Sequence, residues 1–223
     1  MSASQLAALS SGNFTPCDIA DALLKLKVPH AGYLVDIDPK HTPTAPRSGP
    51  LVGLATTVLF APKSSPTPAG NLEKGAHFAD VVSAPNTIAV LAAPPGVRCA
   101  VLGGLVATRL AKRGVKGVII GGRVRDLWEM PEDLEIWAQG TSAVGAGAET
   151  RVVDVDVEVE VRGVKINKGD VVVADKGEVV VIPGDKVQEV LDLMPGLMGM
   201  DELVAGDLKE GKELGAAFKE RRG

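Results

Sequence analysis

Residues 103–126 read GGLVATRLAKRGVKGVIIGGRVRD, and the order of residue types in that stretch sets the fold class. Two glycines open a helical pattern, in which Leu105, Thr108, Leu110 and Ala111 continue to Arg113. Gly114 closes it, because glycine enters the left-handed conformation that ends a helix at little cost. Residues 117–120 then make a short, fully apolar strand. Strand, glycine-rich turn, helix, glycine, strand is a βαβ unit, and such units build parallel sheets.

Working outward, residues 15–26 predict a helix. Thr15 suits the cap, Pro16 suits the first helical position, and Ile19, Ala22, Leu23 and Leu26 share one face. Residues 35–49 contain Pro39, Pro43 and Pro46 and read as a loop. A strand is expected over 51–60, stopped by Pro62, followed by an exposed Ser/Pro-rich loop at 63–70. A helix fits 73–82 and a strand 87–92. On the C-terminal side, Val153, Val155, Val157, Val159 and Val161 alternate with acids, which predicts one half-buried structural strand over 151–161. Strands at 171–174 and 179–182 are joined by Asp175-Lys176-Gly177, a tight-turn sequence. Residues 185–193 read as helix. Residues 200–220 read as a polar helical segment broken by Gly206, Gly211 and Gly215. No linker or repeat divides the chain, so the expectation is a flexible N-terminus over 1–14 and a single α/β domain over 15–223.

Composition narrows the function classes. The 223 residues are 45% apolar but only 3% aromatic, so the core must come from Val, Leu, Ile and Ala. With a net charge of −4 and no long basic patch, a nucleic-acid partner is not expected. Lys219, Arg221 and Arg222 form a short terminal run that suits a helix end. Cys17 and Cys99 do not make a disulfide framework; both read as small packing residues in a reduced compartment. No secretory pattern and no apolar run of ~20 residues occurs. The expected location is therefore cytoplasmic, without membrane contact. His30, His41 and His77 lack zinc-ligand spacing. Gly145-Ala146-Gly147 begins a dinucleotide-type loop, but residue 150 is Thr rather than the third glycine. There is no P-loop and no Gly-x-Ser-x-Gly elbow.

The chemistry concentrates where the opening stretch ends. A helix starting after Gly104 offers the backbone N–H groups of Leu105 and Val106, and Gly103-Gly104 lets a carboxylate approach them. The next strand ends on the same sheet edge, where open α/β sheets bind ligands. Arg125 and Asp126 follow it directly. A guanidinium fork fits a carboxylate or an enolate oxygen. A carboxylate is a hard ligand for magnesium or manganese. The residues alone leave open a plainer reading, a structural Arg125–Asp126 ion pair at a turn.

The same residues resemble the RraA-like family, which includes 4-hydroxy-4-methyl-2-oxoglutarate aldolases and oxaloacetate decarboxylases. The family pattern places Arg-Asp after twenty intervening positions, as Arg125-Asp126 follow Gly104 here. Asp21-Ala22-Leu23 looks like the family's N-terminal helix, and residues 163–175 and 177–183 look like its C-terminal signature. The resemblance implies an α-β-β-α sandwich like the swivelling phosphohistidine domain, and homotrimers or dimers of trimers. It implies a divalent-metal-dependent lyase that releases pyruvate from a small 2-oxo acid. Arg125 would hold the pyruvyl unit, and the Leu105 and Val106 amides its carboxylate. Asp126 would bind Mg2+ or Mn2+, with Glu129 as a second candidate ligand. Asp201 or Glu202 of a neighbouring subunit is the candidate that completes the shell.

Two departures stand out. Characterised aldolases of the family often carry Asp or Glu where this chain has Gly104, which favours decarboxylation over aldol cleavage. Gly121-Gly122 replaces a common Asp-Gly. A regulatory role is the competing reading, since some members bind and inhibit an RNA-degrading enzyme. A methyltransferase reading finds no S-adenosylmethionine loop.

Overall fold

In the computed structural model, which describes residues 2–45, 47–66 and 70–222, the helices are α1 (Ala3–Ser10), α2 (Pro16–Lys25), α3 (Phe78–Val81), α4 (Gly104–Lys112), α5 (Val187–Lys209) and α6 (Leu214–Arg222). The strands are β1 (Asp38–His41), β2 (Leu51–Pro62), β3 (Thr87–Ala92), β4 (Ala100–Leu102), β5 (Gly117–Val124), β6 (Glu135–Thr141), β7 (Thr150–Val155), β8 (Val159–Val161), β9 (Val164–Ile166), β10 (Val171–Asp175) and β11 (Glu178–Ile182).

The main sheet runs β1-β6-β5-β3-β2-β10-β11, with β4 on β5 and β7 on the far half of β2. Its centre is parallel (β2–β3, β3–β5 and β5–β6), and antiparallel strands lie outside it. Alternation along β2 explains the layering. Leu51, Ala55 and Leu59 face one cluster, together with Val90, Ile119 and Trp137 from the parallel strands and Val172 and Val181 from β10 and β11. Residues from β6, near one end of the sheet, and from β11 at the other share that cluster, so the sheet curls around it. The β8–β9 hairpin closes the space with Val159, Val161, Val164 and Ile166.

The helices cover the convex face in two groups. Val52 of β2 packs with Ile19 and Leu23 of α2, Leu9 of α1, and Val190 and Met194 of α5. Val58 and Phe60 pack with Ala107 and Leu110 of α4 and Phe78 of α3. Each fully buried Leu, Ile or Val contributes about 1.5–3 kcal/mol of transfer free energy. The class is mixed α/β, as expected; one curled sheet with a hairpin stands where two stacked sheets were anticipated.

Local signals explain the best-matched elements. Thr15 caps α2 in a reciprocal box with Asp18, and Pro16 sits at its first turn. Lys176 and Gly177 both take positive φ in the two-residue link between β10 and β11, the geometry that suits a right-twisted hairpin. Other expectations are corrected. Part of the anticipated 35–49 loop is β1, which pairs with β6, Asp38 opposite Ala138; Pro46 lies outside the described residues. So do residues 67–69 of the anticipated 63–70 loop. Only Phe78–Val81 of the expected 73–82 helix is helical, with Gly75 at φ +89° ahead of the His77 cap. The single strand expected over 151–161 is two, broken at Asp156 (φ 59°). α5 runs unbroken through Pro195 and Gly206, and the chain turns only at Gly211. Within the N-terminal segment expected to be flexible, Ala3–Ser10 form a capped helix with Leu9 buried; Met1 lies outside the described residues. Cys99 is buried as expected, whereas Cys17 is exposed on α2. Among the described residues no helix is long and apolar enough to cross a membrane.

Candidate functional site

The site grows from the junction of β4, α4 and β5. β4 runs parallel to the end of β5, and Arg125 N–H donates to Leu102 O at 3.0 Å. This bond clamps the residues after β5 against the start of α4. Gly103 occupies the cap position in extended conformation, and no side chain caps the helix. The backbone ladder of α4 opens with Ala107 N–H donating to Gly103 O at 3.0 Å. The Leu105 and Val106 amides therefore lie ahead of that ladder, where a helix has unpaired donors.

Arg125 and Asp126 meet this helix end. A Cβ added at Gly103 would lie 3.0 Å from Asp126 Oδ2 and 3.1 Å from Arg125 Nε. The guanidinium also lies against Gly145, whose Cβ position is 3.0 Å from Arg125 Nη1. Glycine at both positions gives the guanidinium its room. Arg125 Nε and Asp126 Oδ2 are 3.2 Å apart, with the side chains 42% and 27% exposed. An ion pair this open contributes at most about 1 kcal/mol. Asp126 also takes the left-handed conformation, φ 58° and ψ 42°, which costs a non-glycine residue about the same amount. The pair therefore returns little stability. That weighs against the plainer reading of a structural ion pair.

Asp126 turns the chain into a short 3-10 segment, and Glu129 N–H donates to Asp126 O at 2.9 Å. The turn brings Glu129 over α4. A Cβ at Gly104 would stand 2.8 Å from Glu129 Cβ and 3.1 Å from Glu129 Oε2. Two carboxylates thus flank the two glycines. The structure does not bring Glu202 to them within one chain. α5 packs on α2 in the other helical group, where Asp201 lines a groove with Asp21 and Lys25. Among the described residues, no group of three or more His, Cys, Asp or Glu could hold a metal ion. The surroundings are open and apolar, with Leu105 88% exposed and Trp128 82% exposed.

Sequence reasoning missed a second feature. A cleft of 810 Å³ contains neither Arg125 nor Asp126; it lies beyond β3 and β5 and is lined by Arg98, Arg123 and Arg162. Only Arg123, two positions before Arg125, carried a signal, and it reads as surface when seen alone. Packing accounts for Gly121. A Cβ there would lie 2.9 Å from Val161 Cγ1, so the β8–β9 hairpin packs where a side chain would stand.

Residues 16–181 match the protein family described as RraA-like: Aldolase/RraA. A Pseudomonas syringae pv. tomato protein named "Putative 4-hydroxy-4-methyl-2-oxoglutarate aldolase" is 33% identical over 88 residues, 39% of this chain and 54% of that protein. The matched part spans 26% to 55% of the length of the curated relatives. Among solved structures, an uncharacterized protein from the same organism superposes with a TM-score of 0.78 at 21% identity, covering 99% of this chain and 95% of that one. Streptomyces coelicolor RraAS2, described as an unusual member of the RNase ES inhibitor RraA family, gives 0.74 at 23% identity, covering 90% and 96%.

Proposed function

The chain belongs to the RraA-like family, and from that premise we propose that it is a divalent-metal-dependent lyase that cleaves a C–C bond of a small 2-oxo acid and releases pyruvate. The observation that carries this reading is the convergence of Arg125, Asp126 and the uncapped start of α4 on one point beside Gly103. The donors available fit a hard cation. Asp126 and Glu129 offer carboxylate oxygens on one rim, and magnesium is usually bound by one or two carboxylates plus water. Asp126 would hold Mg2+ or Mn2+, with Glu129 beside it and Glu202 of a neighbouring subunit completing the shell. The bound ion would supply Lewis-acid stabilisation to an enolate oxygen.

The chain's own groups do the rest. The Leu105 and Val106 amides bind the substrate carboxylate with the aid of the helix dipole. Arg125 presents a planar fork that orients the pyruvyl unit and stabilises negative charge as the C–C bond breaks. Exposed Leu105 and Trp128 support a homotrimer or dimer of trimers in which another copy shields the site from water. Glu129 occupies the space that an acid at position 104 would need. Oxaloacetate decarboxylation, which asks least of a proton-transfer group, is therefore the favoured reaction, ahead of 4-hydroxy-4-methyl-2-oxoglutarate cleavage.

One observation favours a second reading, a regulatory binding protein. An apolar rim as exposed as Leu105 and Trp128 also suits a protein partner. Pyruvate release from oxaloacetate with Mg2+, with Mn2+ and with chelator separates the two. Metal-dependent release above the spontaneous rate, lost in Asp126→Asn, supports the lyase. Release equal to the spontaneous rate removes it.

A further inference from the structure

The cleft beyond β3 and β5 carries an inference of its own. Its charge is unlike that of the chain. The whole protein is net −4, yet the cleft gathers Arg98, Arg123 and Arg162 against one acid, Glu160. Arg162 is already engaged, since its guanidinium bonds Asp36 and the Val35 carbonyl. The other two are held less tightly, although the charge of Glu149 lies near Arg98. Among the described residues neither Arg98 nor Arg123 forms an ion pair, and Arg123 Nη1 reaches only Thr141 O at 3.2 Å.

These side chains rise from fixed points. Glu149 accepts the Arg98 and Cys99 amides at 2.6 and 2.9 Å, which pins the backbone of the 93–98 loop. Arg123 leaves β5 where that strand pairs with Ala100 on one side and Gly140 on the other. The same loop lends the cleft an apolar lining, Pro94, Pro95 and Val97. A volume of 810 Å³ exceeds what an inorganic ion needs and falls in the range of small-molecule sites, about 300–1,000 Å³.

We propose that this cleft is a binding site for an organic anion, with Arg98 and Arg123 holding its carboxylate or phosphate and the proline–valine wall receiving its apolar body. The site is separate from the one at Arg125 and does not depend on the lyase reading. Planar guanidinium forks suit both oxyanions.

Calorimetric titration of the full chain at fixed ionic strength tests this, with phenyl phosphate, phenylacetate and inorganic phosphate as probes. At least one phenyl compound binds, and more tightly than inorganic phosphate; which one binds better distinguishes phosphate from carboxylate recognition. Arg98→Gln and Arg123→Gln each weaken that binding by about tenfold, the loss expected for a charge-assisted hydrogen bond. Arg109→Gln, which alters an exposed pair with Asp80, and Arg125→Gln leave it unchanged. Melting curves confirm that the variants are folded. Binding of inorganic phosphate alone, binding that survives in the Arg98/Arg123 double variant, or binding abolished by Arg125→Gln would each overturn the proposal. So would the absence of binding by both phenyl compounds.

Discussion

Asp126 and Asp156 share a backbone conformation and little else. Both are left-handed, with φ of 58° and 59°. Asp156 breaks the run between β7 and β8, and its carboxylate is saturated. Thr56 Oγ1 donates to it at 2.7 Å, Ser83 Oγ at 2.8 Å and Lys168 Nζ at 2.6 Å. Burial pushes its pKa up, but those bonds outweigh burial and hold it below the usual carboxylate range. Asp126 has one ion-pair neighbour among the described residues, Arg125, and an open rim. A positive φ at an aspartate therefore does not identify function. What separates the two is the unspent hydrogen-bonding capacity beside Asp126.

The largest expected effect separates the two residues by role. Asp126→Asn, which still tolerates the left-handed turn, should lower metal-dependent pyruvate release by about 10²–10³-fold. Its urea midpoint should correspond to a stability within about 0.5 kcal/mol of the parent, as for an exposed site. Asp156→Ala should do the reverse. It strands Thr56, Ser83 and Lys168, so unfolding free energy should fall by about 2–4 kcal/mol with turnover per folded molecule retained. If Asp156→Ala instead left stability intact, the contrast would collapse.

A smaller effect probes the crowding beside Asp126. Gly104→Ala should cost about 1–3 kcal/mol by forcing its Cβ against Glu129, and Glu129→Gly should restore most of that in thermal melts. The smallest effect sharpens the saturated class. Asp207 bridges α5 and α6, and the Arg221 guanidinium, with help from Lys212, draws its pKa down to about 2. A depressed carboxylate contributes stability above its unfolded pKa of about 3.9 and loses that contribution as pH falls toward 2. Asp207→Asn should flatten the acid limb of stability against pH between those values. A parallel limb would place the sensitivity elsewhere.

The contrast also shows what the sequence made legible. α2, β3 and the α4–β5 unit were readable because caps, glycines and apolar spacing act locally. Arg125 and Asp126 were readable because they follow such a unit directly. Asp156 was not, because the Val/acid alternation continues through it and only tertiary partners reveal the break. β1 was hidden for a related reason. Its Pro39 and His41 carry no apolar pattern, and β6 supplies the pairing. The three arginines of the cleft come from segments far apart in the chain, and no local window contains more than one of them.

Positions 104 and 129 share one volume. Glu129 Cβ stands 2.8 Å from where a side chain at 104 would begin, so the two sites cannot change independently. A lineage or an engineer installing an acid at 104 meets a barrier if that step comes first, and an open path if residue 129 is pared down beforehand. The order of the two substitutions therefore decides which path is open.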